Sequence, residues 1–135
     1  MSREEMEFSR FRAGNLQAIE RPGFMAGTLK IEALLTPGHT PGCICYLIGD
    51  NLFSGDVLFA EGCGMCPDRQ SAYEMFASLE RLKRRLQPWV RIYPGHSYGK
   101  APGQFLSKVF EDNIYLHFKS PGDFADFRMR KRQDM

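Results

Sequence analysis

The sequence predicts one α+β domain, and three observations carry that reading. Residues 27–35 and 43–48 alternate or cluster apolar side chains as strands do, Gly49-Asp50-Asn51 is a hairpin signal, and Ser71-Ala-Tyr-Glu74 opens an amphipathic helical run. At 135 residues, with 43% hydrophobic and 25% charged side chains, the chain can bury one core.

Taken in order, residues 1–26 form an arm or a helix, because Met6, Phe8, Phe11, Leu16 and Ile19 are irregularly spaced. Arg21-Pro-Gly-Phe24 is a turn, and residues 27–35 are a strand entering the loop Thr36-Pro-Gly-His39-Thr-Pro-Gly42. A second strand covers residues 43–48, and residues 52–54 and 57–60 return from the hairpin. Ser71 and Glu74 read as a capping box, followed by Met75, Leu79, Leu82 and Leu86 on one helical face. Lys83, Arg84 and Arg85 then lie in the last turn, where cations favour the helix dipole, and Pro88 closes the helix. Residues 89–93 make a short strand that delivers Pro94-Gly95-His96. Residues 103–118 read as helical, and Ser120-Pro-Gly-Asp123 caps a last helix carrying Phe124 and Phe127.

Lys plus Arg number 18 against 16 Asp plus Glu, and the resulting charge of +2 is too small to argue for nucleic acid. No apolar run is long enough for a membrane span, and the opening MSREEMEFSR lacks the apolar core of a secretory signal, so a cytoplasmic protein is expected. In that compartment Cys43, Cys45, Cys63 and Cys66 read as reduced, buried or loop thiols, ahead of redox chemistry or a structural metal.

Three side chains stand at predicted strand ends: His39, Asp56 in Ser54-Gly-Asp56, and His96. Imidazole nitrogen and carboxylate oxygen are donors that zinc accepts, and each is presented by a turn rich in glycine or proline. Singly each is an ordinary turn residue; as an ordered trio they point to a metal site. His117, on a predicted helix, reads as an ordinary packed or exposed residue.

TPGHTPG, FSGDVLF and IYPGHSYG, in that order and with a helix between the last two, resemble the second half of the metallo-β-lactamase-fold hydrolases, glyoxalase II-like branch. The wording LFAEGCGMCPDR and NIYLHFKSPGDFADFRMRK is similar to zinc-dependent hydrolases of bacillaene-type polyketide biosynthesis. The resemblance implies an α/β (α+β) fold, the C-terminal half of an αββα sandwich with a mixed or antiparallel sheet and helices on one face. It further implies two Zn2+ ions per complete site, with His39 on the first, His96 on the second and Asp56 bridging both. The implied chemistry is attack of an activated water on an acyl thioester, small or carrier-protein-bound. Tyr98 and Lys100 fall where relatives of that family contact substrate, and Arg128-Met-Arg-Lys-Arg132 is either a contact for an acyl carrier protein or a frayed basic tail.

The family's other ligand motif, His-x-His-x-Asp-His, does not occur in these residues, whose only histidines are His39, His96 and His117. The expectation is therefore a partial domain with an apolar sheet face, covered by an N-terminal half or by self-association, and inactive alone. The alternatives are a non-catalytic, partner-binding half-domain and a glyoxalase II-like enzyme.

Overall fold

A computed structural model of the chain describes residues 1–131. Strands β1 (Gly23–Ala26), β2 (Leu29–Leu35), β3 (Ile44–Ile48), β4 (Asn51–Gly55), β5 (Arg91–Pro94) and β6 (Gln104–Phe105) form one sheet in chain order. Every neighbouring pair is antiparallel except β4 and β5, which are parallel. A parallel pair needs a long crossover, and α2 (Arg69–Arg85) supplies it. The remaining helices are α1 (Arg3–Ser9), α3 (Leu106–Asp112) and α4 (Pro121–Arg128), with a 3-10 turn at Ile114–Leu116.

Register separates the two faces of the sheet. Leu47 pairs with Leu52 and Leu52 with Ile92, so these side chains share the face that packs with Met75, Leu79 and Leu82 of α2 and with Leu106, Val109, Tyr115 and Phe124. On the other face, Phe24 pairs with Ile31, and Tyr46 with Phe53, which pairs in turn with Tyr93. Phe53 stacks on Tyr93 at 5.4 Å between ring centres and stays 43% exposed. A groove of about 840 Å³ lies on this face between Phe24, Ile31, Tyr46 and Phe53 and the segment Gln17–Arg21. The expected apolar sheet face is present, partly covered by the chain's own first residues.

Several elements differ from their sequence reading, each for a local reason. The turn at residues 21–24 gives way to an extra strand, because Gly27 at φ 60° turns β1 tightly into β2. The N-cap of α2 is Asp68, whose carboxylate accepts from the Ser71 amide at 2.7 Å; Ser71 lies inside the helix. That bond also holds the Asp68 carboxyl below its ordinary value. Residues 57–60 make a turn and one bridge, Leu58 to Cys63, in place of a strand. The helix expected over residues 103–118 is broken at both ends: Gln104 and Phe105 pair with β5, and Asn113 leaves helical geometry while its side chain bonds two loop carbonyls. Arg85, in the exposed last turn of α2, also ties the helix to the sheet, its guanidinium donating to both oxygens of Glu32 on β2 at 2.8 and 2.6 Å. The Ser120 cap of α4 is as read.

Among the described residues no helix is long and apolar enough to cross a membrane. The two sheet faces predict different mutational costs. Leu52→Ala, wholly buried, is expected to lower the unfolding free energy by about 2–5 kcal/mol, and Phe53→Ala by about 1 kcal/mol. Urea titration of the two variants checks this, and equal losses would show that the open face is covered in solution.

Candidate metal centre

Strands β2, β4 and β5 point the same way, because two antiparallel steps separate β2 from β4 and the next step is parallel. Their C-terminal ends therefore share one sheet edge. Residues that follow them are brought together there: His39 after β2, Asp56 directly after Gly55 of β4, and His96 after Pro94 of β5. Gly55 pairs with Pro94, and the Gly95 amide donates to the Gly55 carbonyl at 2.7 Å, which locks the Asp56 and His96 turns in step.

The geometry assembles all three sequence-identified donors. His96 Nε2 lies 3.0 Å from Asp56 Oδ1, and His39 Nε2 lies 3.7 Å from Asp56 Oδ2. One carboxylate thus faces a different imidazole with each oxygen. His39 Nδ1 is 2.8 Å from the Met65 carbonyl, which can only accept, so Nδ1 carries the hydrogen and neutral His39 turns a bare Nε2 toward Asp56. At 3.7 Å, with both groups partly open to solvent, this nitrogen and oxygen are two acceptors that a shared metal ion, a proton or a donating water can join.

The loop holding His39 is clamped from two sides. Its ends are joined by the Thr36 amide donating to the Cys43 carbonyl at 2.7 Å. From α2, the Ser78 hydroxyl donates to the Pro37 carbonyl at 2.8 Å, and Gly38, at φ 147°, sits where a Cβ would overlap the Met75 backbone. From the opposite side, Ser2 donates to the Gly42 carbonyl at 2.7 Å and Thr40 to Glu5 at 2.6 Å. Sequence reading missed this use of α1, although Ser2-Arg-Glu-Glu5 repeats the Ser-x-x-Glu spacing of a helix start. Gly64 closes the site from behind, where a Cβ would overlap the Asp56 carbonyl oxygen and crowd the His39 ring.

Tyr98 and Lys100 are placed differently from each other. Tyr98 packs edge-on to Phe59 at 5.0 Å and beside His96 at 5.4 Å, half exposed at the rim of the site. Lys100 is engaged by Glu61 at 3.2 Å and Asp112 at 3.6 Å, and these carboxylates raise its pKa. These bonds tie its loop down, with the side chain 40% exposed. His117 packs against Phe110 and the Phe110 carbonyl, away from the trio. Arg128 is wholly buried and is therefore neither a frayed tail nor a surface contact, while partly exposed Arg130 bonds Tyr115 and stacks over Phe127 at 4.0 Å. Arg132 lies outside the described residues.

All four cysteines are free thiols. Burial pushes Cys45 up to about 12, Cys63 to about 11 and Cys66 to about 12, so they are inert, protonated core residues at neutral pH. Cys45 is wholly buried in β3, while Cys43 precedes the strand and sits beside Thr40 Oγ1 at 2.9 Å.

The donor types suit zinc, but the donor number does not. Each cation position has one imidazole and one carboxylate oxygen, against the three protein ligands of a catalytic zinc. Among the described residues no three His, Cys, Asp or Glu side chains converge on a single ion. The present residues therefore do not fit a complete zinc site.

Two expectations follow from this geometry. Gly64→Ala should push the His39 ring and the Asp56 turn apart and cost about 1–3 kcal/mol, read by urea unfolding. For Cys45 and Cys63, the folded pKa lies above the ordinary 9.0, so the unfolded chain loses protons first as pH rises. Stability should be full below about pH 9 and fall by about 1 kcal/mol per buried thiol over the next pH unit. Urea midpoints measured across this range check it, and a flat profile would contradict the burial of the thiols.

The sequence pattern of the metallo-beta-lactamase superfamily matches residues 13–96. The chain is 48% identical, over 98% of its length, to the probable polyketide biosynthesis zinc-dependent hydrolase BaeB of Bacillus velezensis, and 43% identical over the same share to PksB of Bacillus subtilis. It spans 60% of the length of each. A hydroxyacylglutathione hydrolase of Shewanella halifaxensis is 36% identical over 76% of the chain and 42% of its own length. Among solved structures, a metallo-beta-lactamase from Staphylococcus aureus superposes with a TM-score of 0.77 at 27% identity, over 86% of this chain and 39% of that one. With its parallel β4–β5 step and its His39, Asp56 and His96 edge, this chain belongs to the metallo-beta-lactamase superfamily.

Proposed function

We propose that the chain is part of a zinc-dependent hydrolase of acyl thioesters in polyketide biosynthesis, acting on carrier-protein-bound or small thioesters. The observation that carries the metal reading is the Asp56 carboxylate offering one oxygen to His96 and the other toward His39, whose Nε2 is left bare by the Met65 carbonyl. The likeness to the two Bacillus hydrolases supports the reaction class and the setting. Zinc held by His39, Asp56 and His96 together with further ligands would supply an activated water and polarise an acyl carbonyl, and a thioester suits that chemistry because thiolate leaves readily.

On this reading the remaining ligands come from a His-x-His-x-Asp-His segment outside residues 1–135. That segment would lie on the open sheet face, where Phe24, Ile31, Tyr46 and Phe53 form an apolar surface of the kind a second layer covers. Two donors per position also favour a second reading, a partner-binding half-domain without catalysis.

Equilibrium dialysis and thioesterase assays separate the two. Residues 1–135 alone should retain less than one zinc per chain and show no hydrolysis. Complemented with the remaining part of the Bacillus velezensis relative, they should bind two zinc ions and hydrolyse carrier-protein thioesters faster than glutathione thioesters. A preference for the glutathione ester would favour the glyoxalase II-like alternative. Zinc-loaded complex without hydrolysis of either ester would leave the half-domain reading standing.

A further inference from the structure

The loop over residues 59–66, behind His39, is held from the helical layer by two buried side chains that the metal reading does not use. Arg128, the last residue of α4, is wholly buried. Its Nη1 donates to the Cys63 carbonyl at 2.9 Å and lies 3.7 Å from Cys63 Sγ, and the guanidinium sits over the Tyr115 ring at 4.9 Å. Nε and Nη2 of Arg128 have no acceptor among the described residues. Asn113, equally buried, donates Nδ2 to the Phe59 carbonyl at 3.0 Å and to the Gly62 carbonyl at 2.9 Å, while its Oδ1 accepts from the Tyr115 amide.

These bonds fix the loop carbonyls immediately before Gly64 and Met65. The Gly64 amide, in turn, donates to the Val57 carbonyl at 3.2 Å, tying the same loop to the turn that carries Asp56. The next carbonyl, that of Met65, takes the hydrogen of His39 Nδ1. A chain of hydrogen bonds and rigid backbone therefore runs from α4 through Cys63 and Met65 to His39.

A buried guanidinium with no carboxylate partner among the described residues is a costly way to fill a core, and a methionine would fill similar space without the charge. What the charge provides is a charge-assisted bond, stronger than a neutral one, on a carbonyl two residues from Met65. We infer that Arg128, together with Asn113, is a positioning residue for His39: it holds the Cys63–Met65 backbone so that the Met65 carbonyl selects the Nδ1–H tautomer and leaves Nε2 facing Asp56. The inference deepens the proposed metal site and rests on His39 being one of its ligands.

Tautomer state is read directly by long-range proton–nitrogen NMR on the 15N-labelled full chain, with metal chelated and at a pH about two units above the ordinary histidine value. His39 in the unmodified protein should be the Nδ1–H tautomer. Arg128→Met and Asn113→Ala should each shift it to a mixture with Nε2–H, and Arg128→Lys, which still donates to the Cys63 carbonyl, should retain it. Leu82→Ala, a core truncation on α2 remote from this loop, should leave the tautomer unchanged. A folded Arg128→Met protein that keeps the Nδ1–H tautomer would overturn the inference. So would a tautomer shift in Leu82→Ala, since the signal would then report general core damage. If Arg128→Met does not fold, Asn113→Ala decides: a kept tautomer overturns the inference and a mixture supports it. The measurement needs no metal, so its failure is distinct from failure of the complemented protein to bind zinc.

Discussion

Everything at the functional edge depends on one constraint, the parallel pairing of β4 with β5. Gly55 beside Pro94 sets the ends of the two strands level, and the residues that follow, Asp56 and His96, have nowhere to go but toward each other. An antiparallel β5 would carry His96 to the opposite edge. The parallel step needs a crossover, so α2 is required by the site as much as by the core. That helix packs Met75, Leu79 and Leu82 on the sheet and also bears Ser78, which holds the His39 loop at Pro37.

The donors are held by backbone more than by side chains. His39 is fixed by a loop with two Pro-Gly pairs, by carbonyl bonds from Ser2 and Ser78, and by the Met65 carbonyl. Asp56 is fixed because Gly64 approaches its carbonyl more closely than any residue with a Cβ could, while Gly95 packs tightly against its carboxylate. Such a site is preorganised before any ion arrives, which keeps low the cost of bringing its donors together. Its incompleteness is equally physical: two imidazoles and one carboxylate divide into two donors per position. On the open sheet face, Tyr46, Phe53 and Tyr93 share one surface, with Phe53 stacked on Tyr93.

How much was legible can be judged from particular residues. His39, Asp56 and His96 were readable because proline and glycine flank them and because strand patterns precede them. The α2 apolar face was readable because Met75, Leu79 and Leu82 repeat at helical spacing, although its true cap, Asp68, was passed over for Ser71 three residues on. β1 and β6 were not readable, since their pairing depends on partners across the sheet and not on strong local propensity. Asn113 interrupts a helical pattern for the sake of two carbonyls more than fifty residues earlier in the chain, a demand invisible in its own neighbourhood. Arg128 misled most: beside Arg130 and Lys131 it reads as a solvated tail, yet one of the three is the largest fully buried side chain.

By itself the sequence determined the periods of β2, β3 and α2, the hairpin at Gly49-Asp50-Asn51, the three candidate donors and the absence of a His-x-His-x-Asp-His motif among its residues, because these are properties of neighbours along the chain. Tertiary structure alone decided which oxygen of Asp56 faces which histidine, which nitrogen of His39 is free, and that Lys100 is bound to Glu61 and Asp112. It also decided that Arg128 faces inward. The reason is common to all of these: each depends on groups that meet only when the parallel β4–β5 step and the helical layer bring distant segments to one edge, and local patterning carries no information about such meetings.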